Sequence, residues 1–211
     1  MRAFVFGPVA VFALVGLRTI ANAQQDAFNN FGPDRAYDRS QIWSIYGSGA
    51  PGGYVETAME FQSATTGTLD TITSVFLEQY QAGNITVNIY KDNGSGAFGS
   101  LLYSSVDAIP THFNNFVTFT NSNSSIKLNA GQNYWIDYAA NVDPTVSVGW
   151  YFDWNGTHNQ KVVQFTSPGG TPIARSGDGS LEVTTQSVPE PASIAALGLS
   201  LIGLMRLRKS H

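Results

Sequence analysis

The body of the chain consists of short segments in which apolar and polar residues alternate. In residues 84–90, 134–138 and 146–152, every second side chain is aliphatic or aromatic. A period of two is typical of antiparallel strands that place one face on the core and the other on solvent. Further segments of β-type composition occupy residues 54–62, 69–80, 101–105, 116–120, 162–166 and 181–185.

Clusters of Gly, Asn, Asp and Pro separate these segments, and none has the apolar period of an amphipathic helix. The turn clusters are residues 92–96, 129–131, 168–170 and 176–179. About nine strands at this spacing predict an all-β fold, a two-sheet antiparallel sandwich of jelly-roll or immunoglobulin-like kind. We place this domain at residues 53–186. Residues 24–52 are polar and are expected to be irregular, apart from a strand-like segment at 41–46.

The N-terminus has the three parts of a secretory signal peptide. Arg2 provides the positive charge, residues 3–17 are mostly apolar, and Ala21-Asn22-Ala23 forms a small-x-small pattern before Gln24. The sequence therefore predicts a signal helix within residues 1–23 that signal peptidase removes. An uncleaved N-terminal anchor is the alternative, but the apolar segment is short for a membrane span.

The C-terminus is also tripartite. A linker at residues 187–193 is followed by an apolar segment at 194–207 and a basic end at 208–211. Two prolines flank Glu190 and keep that peptide extended and accessible. The apolar segment predicts a short transmembrane helix, and the basic end stays in the cytoplasm by the positive-inside rule. The body would therefore lie outside the cytoplasmic membrane.

This tail resembles the PEP-CTERM sorting signal of Gram-negative bacteria. Val188, Pro189, Glu190 and Pro191 correspond to the motif, and the basic end of the family is matched by Arg206, Arg208 and Lys209. The resemblance implies recognition by an exosortase, release or transfer to the outer surface, and an association with exopolysaccharide. A plain C-terminal anchor without cleavage is the alternative.

The body shows a second resemblance, to the choice-of-anchor class of exported bacterial β-sandwich domains. The stretches that carry it are residues 69–72, 85–92, 99–102 and 128–135, within a matching region from Gly53 to Glu182. This resemblance implies a fold and a location outside the cytoplasm. It implies no catalytic residue.

Composition and charge exclude several classes of protein. The 211 residues include no Cys, so disulfide scaffolds and thiol nucleophiles are excluded. Only 12% of the residues are charged, and the net charge is −4. Residues 24–188 contain six basic and 14 acidic residues, a net charge of −8. An acidic body without a basic patch is not suited to bind nucleic acid.

No catalytic constellation is recognisable, and we predict a protein that is not an enzyme and needs no cofactor. His112, His158 and His211 lack a Gly-x-Ser-x-Gly nucleophile motif or a zinc-ligand spacing. Glu56 and Glu60 share one strand face, but four residues of strand span about 13 Å, too far for a glycosidase pair. Cross-strand pairs such as Glu78 with Asp137 remain open.

The segment Asp92-Asn93-Gly-Ser-Gly is similar in composition to half of a calcium loop. It lacks the further acids and the closing Glu of the full signature. An Asn-Gly hairpin turn is the stronger interpretation. Asp92 and Asn93 are therefore a weak calcium candidate, and we predict no other metal site.

The aromatic residues carry the best indication of ligand binding. Trp43, Trp154, Tyr151 and Asn155 are a candidate glycan platform, because sugar rings stack on aromatic faces while polar neighbours bind the hydroxyl groups. Trp150 is better interpreted as a core residue, since a buried Trp commonly fills a sandwich core.

These observations predict an exported, non-catalytic surface or extracellular-matrix protein associated with exopolysaccharide or biofilm. Its processing partners would be signal peptidase and an exosortase-type enzyme, and polysaccharide is the candidate ligand. A carbohydrate-binding module is the main alternative. A glycan-active enzyme is a further alternative, which two facing carboxyl groups in a cleft would favour.

Overall fold

The computed structural model of the protein describes residues 23–111, 115–155 and 160–187. The sorting motif, the predicted membrane helix, the basic end and all of the signal peptide except Ala23 lie outside these residues. The three histidines also lie outside them. Across the described ranges, no helix is both long enough and apolar enough to cross a membrane.

The described residues form strands and one short 3₁₀ turn at Pro33–Arg35, which confirms the all-β prediction. In chain order the strands are β1 (Gln24–Asn29), β2 (Asp38–Tyr46), β3 (Glu56–Gln62), β4 (Gly67–Gln81), β5 (Asn84–Asp92), β6 (Phe98–Ala108), β7 (Asn115–Thr120), β8 (Lys127–Leu128), β9 (Asn133–Ala139), β10 (Ser147–Phe152), β11 (Val162–Phe165), β12 (Ile173–Arg175) and β13 (Leu181–Ser187).

The strands pair into two antiparallel sheets, as the alternation predicted. The first sheet has the order β1-β13-β4-β10-β2, with β7 and β8 also paired to β4. The long strand β4 pairs with β13 through its first half and with β10 through its second. The second sheet has the order β12-β11-β3-β9-β5-β6.

The core lies between the sheets and is built from the predicted inward-facing positions. Val87 on β5 lies opposite Tyr138 on β9, and both side chains are fully buried. Trp150 on β10 is also fully buried, and its indole N–H donates to the carbonyl of Ser180 at 2.8 Å. The interpretation of Trp150 as a core residue is therefore confirmed.

Residues 24–52 are more ordered than expected, and this prediction is corrected. They supply β1, which pairs with β13, and β2, which pairs with β10. Polar side chains on β1 hydrogen-bond across the sheet surface, as Gln24 does to Thr184 at 2.9 Å and to Asp70 at 3.0 Å. An edge strand with this composition has little apolar alternation, so its sequence resembles that of a loop.

The outer face of the second sheet is covered rather than solvated. Trp135 and Asp137 lie on the outer face of β9, yet each is only 1% exposed. The ring of Phe98, at the end of the β5–β6 hairpin, lies 5.3 Å from the ring of Trp135 and 5.6 Å from that of Phe165 on β11. These aromatic side chains cover part of the outer face, and a cleft lies beside them.

Candidate functional site

The cleft on the outer face of the second sheet brings a carboxyl pair together. Asn88 on β5 lies directly opposite Asp137 on β9, and Asp137 lies opposite Ala58 on β3. Glu56 is two residues from Ala58 and is therefore the diagonal neighbour of Asp137 on the same face. The cleft has a volume of about 280 Å³. Its lining includes Tyr54, Glu56, Asn88, Tyr90, Phe98, Asp137, Asn141 and Phe165.

Asp137 is the most unusual group in the cleft. Its Oδ2 accepts a hydrogen bond from Asn88 Nδ2 at 2.9 Å, whereas its buried Oδ1 has no hydrogen-bond partner. Burial raises the pKa of Asp137 well above its usual range, the adjacent Glu56 raises it further, and the Asn88 bond only partly opposes this. The surroundings of Asp137 therefore oppose its ionisation, and Glu56 is the neighbouring acid that contributes to this.

Two tyrosines supply hydroxyl groups beside this pair. The hydroxyl of Tyr54 donates to the Glu56 carboxylate. Burial, followed by the hydrogen bond to Glu56 and its charge, raises the pKa of Tyr54. Burial and the charges of Asp137 and Glu56 raise the pKa of Tyr90 to about 12. Both phenols therefore stay protonated at neutral pH. The Tyr54 proton is donated to Glu56, whereas Tyr90 can donate its proton to a ligand.

A second, more apolar cavity of about 500 Å³ adjoins the cleft and shares Phe98 and Phe165 with it. Trp135 and Lys161 also line this cavity, and the Lys161 amino group lies 5.3 Å from the Trp135 ring centroid. Tyr90 stacks on Phe98 with the ring centroids 4.6 Å apart. The two cavities together offer aromatic faces beside polar groups, an arrangement that suits amphipathic ligands such as sugars.

The four residues of the predicted glycan platform are not brought onto one surface. Trp43 is partly buried, lies 5.0 Å from the ring of Phe152, and donates to the carbonyl of Gly177 at 2.8 Å. Tyr151 is 5% exposed and packs against Tyr37 on the outer face of the first sheet.

Trp154 is 49% exposed, and Asn155 beside it is also exposed. Trp154 lines a separate cavity of about 460 Å³ together with Arg35, Arg39 and Phe116. Of the predicted platform, only Trp154 and Asn155 thus remain accessible.

The hairpin interpretation of Asp92 and Asn93 agrees with the geometry. Asp92 accepts hydrogen bonds from the Gly94 N–H at 2.6 Å and from Trp135 Nε1 at 3.0 Å, one on each carboxylate oxygen. Asn93 accepts from the Ser95 N–H at 2.9 Å. Both side chains therefore organise the turn.

The pKa of Asp92 reflects these bonds. Desolvation opposes ionisation, but the hydrogen bonds from Trp135, Gly94 and Gly96 and the charge of Lys161 outweigh it and lower the pKa. In the part of the chain that the structure describes, no three or more His, Asp or Glu residues are grouped as a metal site.

In the sequence analysis, Glu56 and Asp137 were singled out, but they were considered with Glu60 and Glu78 rather than with each other. Glu78 lies on β4 of the first sheet, so it does not face Asp137. Tyr54, Asn88 and Tyr90 were not predicted as site residues. One signal was present, because Asp137 interrupts a strand that is otherwise almost entirely apolar, and such strands are buried on both faces.

Comparisons with known proteins identify the C-terminal signal. Residues 187–209 match the family model of the PEP-CTERM protein-sorting motif. No curated protein matches the chain. Among solved structures, a chain from the structure of infectious bursal disease virus Gx strain is similar, with 12% identity, a TM-score of 0.35, and coverage of 92% of this chain and 40% of that one.

A chain from the T13 particle of the same virus has 12% identity and a TM-score of 0.31, with 98% of this chain and 52% of that chain covered. The protein thus spans roughly half or less of the viral chains that it resembles. The resemblance of the tail is confirmed by the motif match, whereas the resemblance to the choice-of-anchor class stays a prediction. A PEP-CTERM motif implies an exported protein that an exosortase processes at the cell envelope or surface.

Proposed function

We propose that this is a non-catalytic surface or extracellular-matrix protein, associated with exopolysaccharide or biofilm, that is displayed through its PEP-CTERM tail. The observation that carries the proposal is the motif match at residues 187–209. The acidic body and the absence of Cys agree with a domain that holds its fold by its apolar core outside the cytoplasm.

The intact mass of the protein recovered from the native envelope and from the medium tests this localisation and processing. We expect a product that begins at Gln24 and ends near the Pro189-Glu190-Pro191 motif. A mass that runs from Gln24 to His211 in every fraction would mean that the tail is a retained anchor. The proposed processing would then be refuted.

The cleft supports polysaccharide as the ligand. Tyr90 can donate a hydrogen bond, while Glu56, Asn88 and Asn141 can accept them, which matches the hydroxyl groups of sugars. Phe98 and Phe165 supply the apolar walls. The volume of about 280 Å³ lies at the small end of ligand sites, and the adjoining cavity extends it.

A glycan-active enzyme is the competing function, because two carboxyl groups do meet in this cleft. Glycosidases hold their carboxyl groups about 5–5.5 Å apart, or about 6.5–9.5 Å apart, with the sugar or water between them. In this cleft Asp137 is only 1% exposed, and its Oδ2 already accepts a hydrogen bond from Asn88. This geometry favours binding over hydrolysis.

Affinity electrophoresis in gels containing the exopolysaccharide of the producing cells tests the binding. We expect the protein to be retarded, with retardation reduced in Tyr90→Phe and Glu56→Gln but kept in Glu60→Gln, which alters an acid on the same strand outside the cleft. Equal retardation of all variants would place binding elsewhere. New reducing ends released from the polysaccharide would favour the enzyme instead.

A further inference from the structure

In the part of the chain that the structure describes, no salt bridge neutralises the Glu56–Asp137 pair. Two carboxyl groups share a site in which Asp137 is almost fully buried, and its Oδ1 accepts no hydrogen bond. Among the described residues, the groups that shift the pKa of Asp137 are Glu56 and Asn88, and neither is cationic. The amino group of Lys161 on the same outer face is held by the Gly96 carbonyl and the Trp135 ring instead. Two carboxylates held together in a buried site repel each other, and a bound cation removes this repulsion.

We propose that Glu56 and Asp137 bind a divalent cation, Ca²⁺, in the cleft. The two carboxylates supply the charge, and the amide oxygens of Asn88 and Asn141, which line the same cleft, supply neutral ligands. Asn141 Oδ1 accepts one hydrogen bond, from Thr86 Oγ1 at 2.7 Å, and retains a second lone pair. Water and the open side of the cleft complete the coordination.

The chemical type of the ligand atoms determines which metal ion the site prefers. Every ligand offered is a carboxylate or amide oxygen, with no imidazole or thiolate, so the site suits Ca²⁺ rather than Zn²⁺ or Cu²⁺. Only two charges face the ion, so we expect a dissociation constant of about 10⁻⁴–10⁻³ M, which is typical of extracellular calcium modules.

This site differs from the weak candidate at Asp92. Both oxygens of Asp92 already accept hydrogen bonds from the hairpin, whereas Asp137 keeps a buried oxygen free on the cleft side. The cation site also goes beyond the proposed function, because it needs no polysaccharide. Its test uses the metal ion without polysaccharide. A failure of the cation proposal can therefore be distinguished from a failure of the proposed polysaccharide binding.

Sensitised terbium luminescence on the purified full chain provides the test, since Tb³⁺ replaces Ca²⁺ and is excited by nearby aromatic residues. Tyr54 and Tyr90 line the cleft and can sensitise the ion. We expect saturable luminescence that excess Ca²⁺ abolishes. Glu56→Gln and Asp137→Asn should weaken the apparent affinity at least about tenfold, while Glu60→Gln and Asp92→Asn should leave it unchanged.

The outcomes are distinct. Luminescence of equal strength in Glu56→Gln overturns the proposal, and loss confined to Asp92→Asn places the ion in the hairpin instead. If Asp137→Asn does not fold, Glu56→Gln decides alone, because Glu56 is only partly buried and its replacement keeps a side chain of the same shape. Absence of luminescence in the unaltered protein also overturns the proposal.

Discussion

The hydroxyl of Tyr138 on β9 lies 2.6 Å from Ser74 Oγ on β4, so one buried hydrogen bond links the two sheets across the core. Both residues are fully buried. The Tyr138 ring also meets Trp150 edge-on, with the ring centroids 4.8 Å apart. Burial raises the pKa of Tyr138, so the phenol stays protonated. The bond therefore holds the two sheets together beside the buried Trp150 ring.

Removal of this bond should destabilise the fold from either side. Tyr138→Phe and Ser74→Ala should each lower the free energy of unfolding by about 1–3 kcal/mol, because each leaves a buried hydroxyl group unpaired. The double variant should lose less than the sum, since no hydroxyl then remains unpaired. Urea unfolding of the four proteins measures this cycle. Additive losses would show that the two hydroxyls do not interact in solution.

The β5–β6 hairpin depends on Asp92 in a similar way. Asp92→Ala leaves Trp135 Nε1 without its acceptor and should lower the free energy of unfolding by about 1–3 kcal/mol. Asp92→Asn keeps one oxygen for a donor and should lose less. Asn93→Ala, at an exposed position in the same turn, is the control. A loss in Asn93→Ala as large as that in Asp92→Ala would contradict the role of the indole bond.

The lowered pKa of Asp92 also predicts a pH dependence. Its folded-state pKa lies below the ordinary value of 3.8, so its ionised form stabilises the folded state. That contribution is complete above the unfolded-state pKa and is lost as the pH falls through the lower, folded-state value. The stability difference between the unaltered protein and Asp92→Asn should therefore stay constant above about pH 5 and shrink as the pH falls below about 4. Urea midpoints at several pH values measure this, and a difference that does not shrink at low pH would refute it.

Gly179 should not tolerate a side chain. A Cβ atom there would lie 2.2 Å from Cε2 and Cζ2 of Trp150, whose indole is fully buried. Gly179→Ala should therefore lower the free energy of unfolding by about 3 kcal/mol or more, at the upper end of overpacking. It should also alter the fluorescence of the folded protein.

Gly94 provides the matched control for this substitution. Its φ is +85° and no atom lies within 4 Å of the added Cβ, so Gly94→Ala should lose only about 1–2 kcal/mol from the left-handed backbone. Thermal and urea unfolding of Gly179→Ala and Gly94→Ala measure the two losses of stability. The first loss arises from steric overlap with Trp150 and the second from backbone conformation. Equal losses would show that Trp150 moves away freely.

The sequence predicted the parts of this fold that depend on local pattern. Alternation located the inward-facing residues of β5, β9 and β10, because the core imposes a period of two on each strand. It failed for β1, whose polar side chains bond across the sheet surface. It also could not place Glu56 beside Asp137. That neighbourhood arises from the pairing of β3 with β9, and its burial comes from loops distant in sequence.

The last prediction separates two candidate binding surfaces. Tyr90→Ala removes the hydroxyl of the cleft and the stacking partner of Phe98, whereas Trp154→Ala removes the exposed indole of the surface that also contains Arg35 and Arg39. If the cleft binds polysaccharide, Tyr90→Ala should weaken retardation in affinity electrophoresis about tenfold, the effect of losing roughly 1.4 kcal/mol. Trp154→Ala should leave retardation unchanged.

The opposite result would have a definite meaning. Arg35 on this surface pairs with Glu182, Arg39 lies over the Tyr37 ring, and guanidinium groups pair well with further carboxylates. Loss of binding in Trp154→Ala alone, together with weakening by salt, would therefore assign an acidic polysaccharide to the arginine surface. It would leave the Glu56–Asp137 cleft to its cation, since two acids in a buried cleft repel an anionic sugar and attract Ca²⁺.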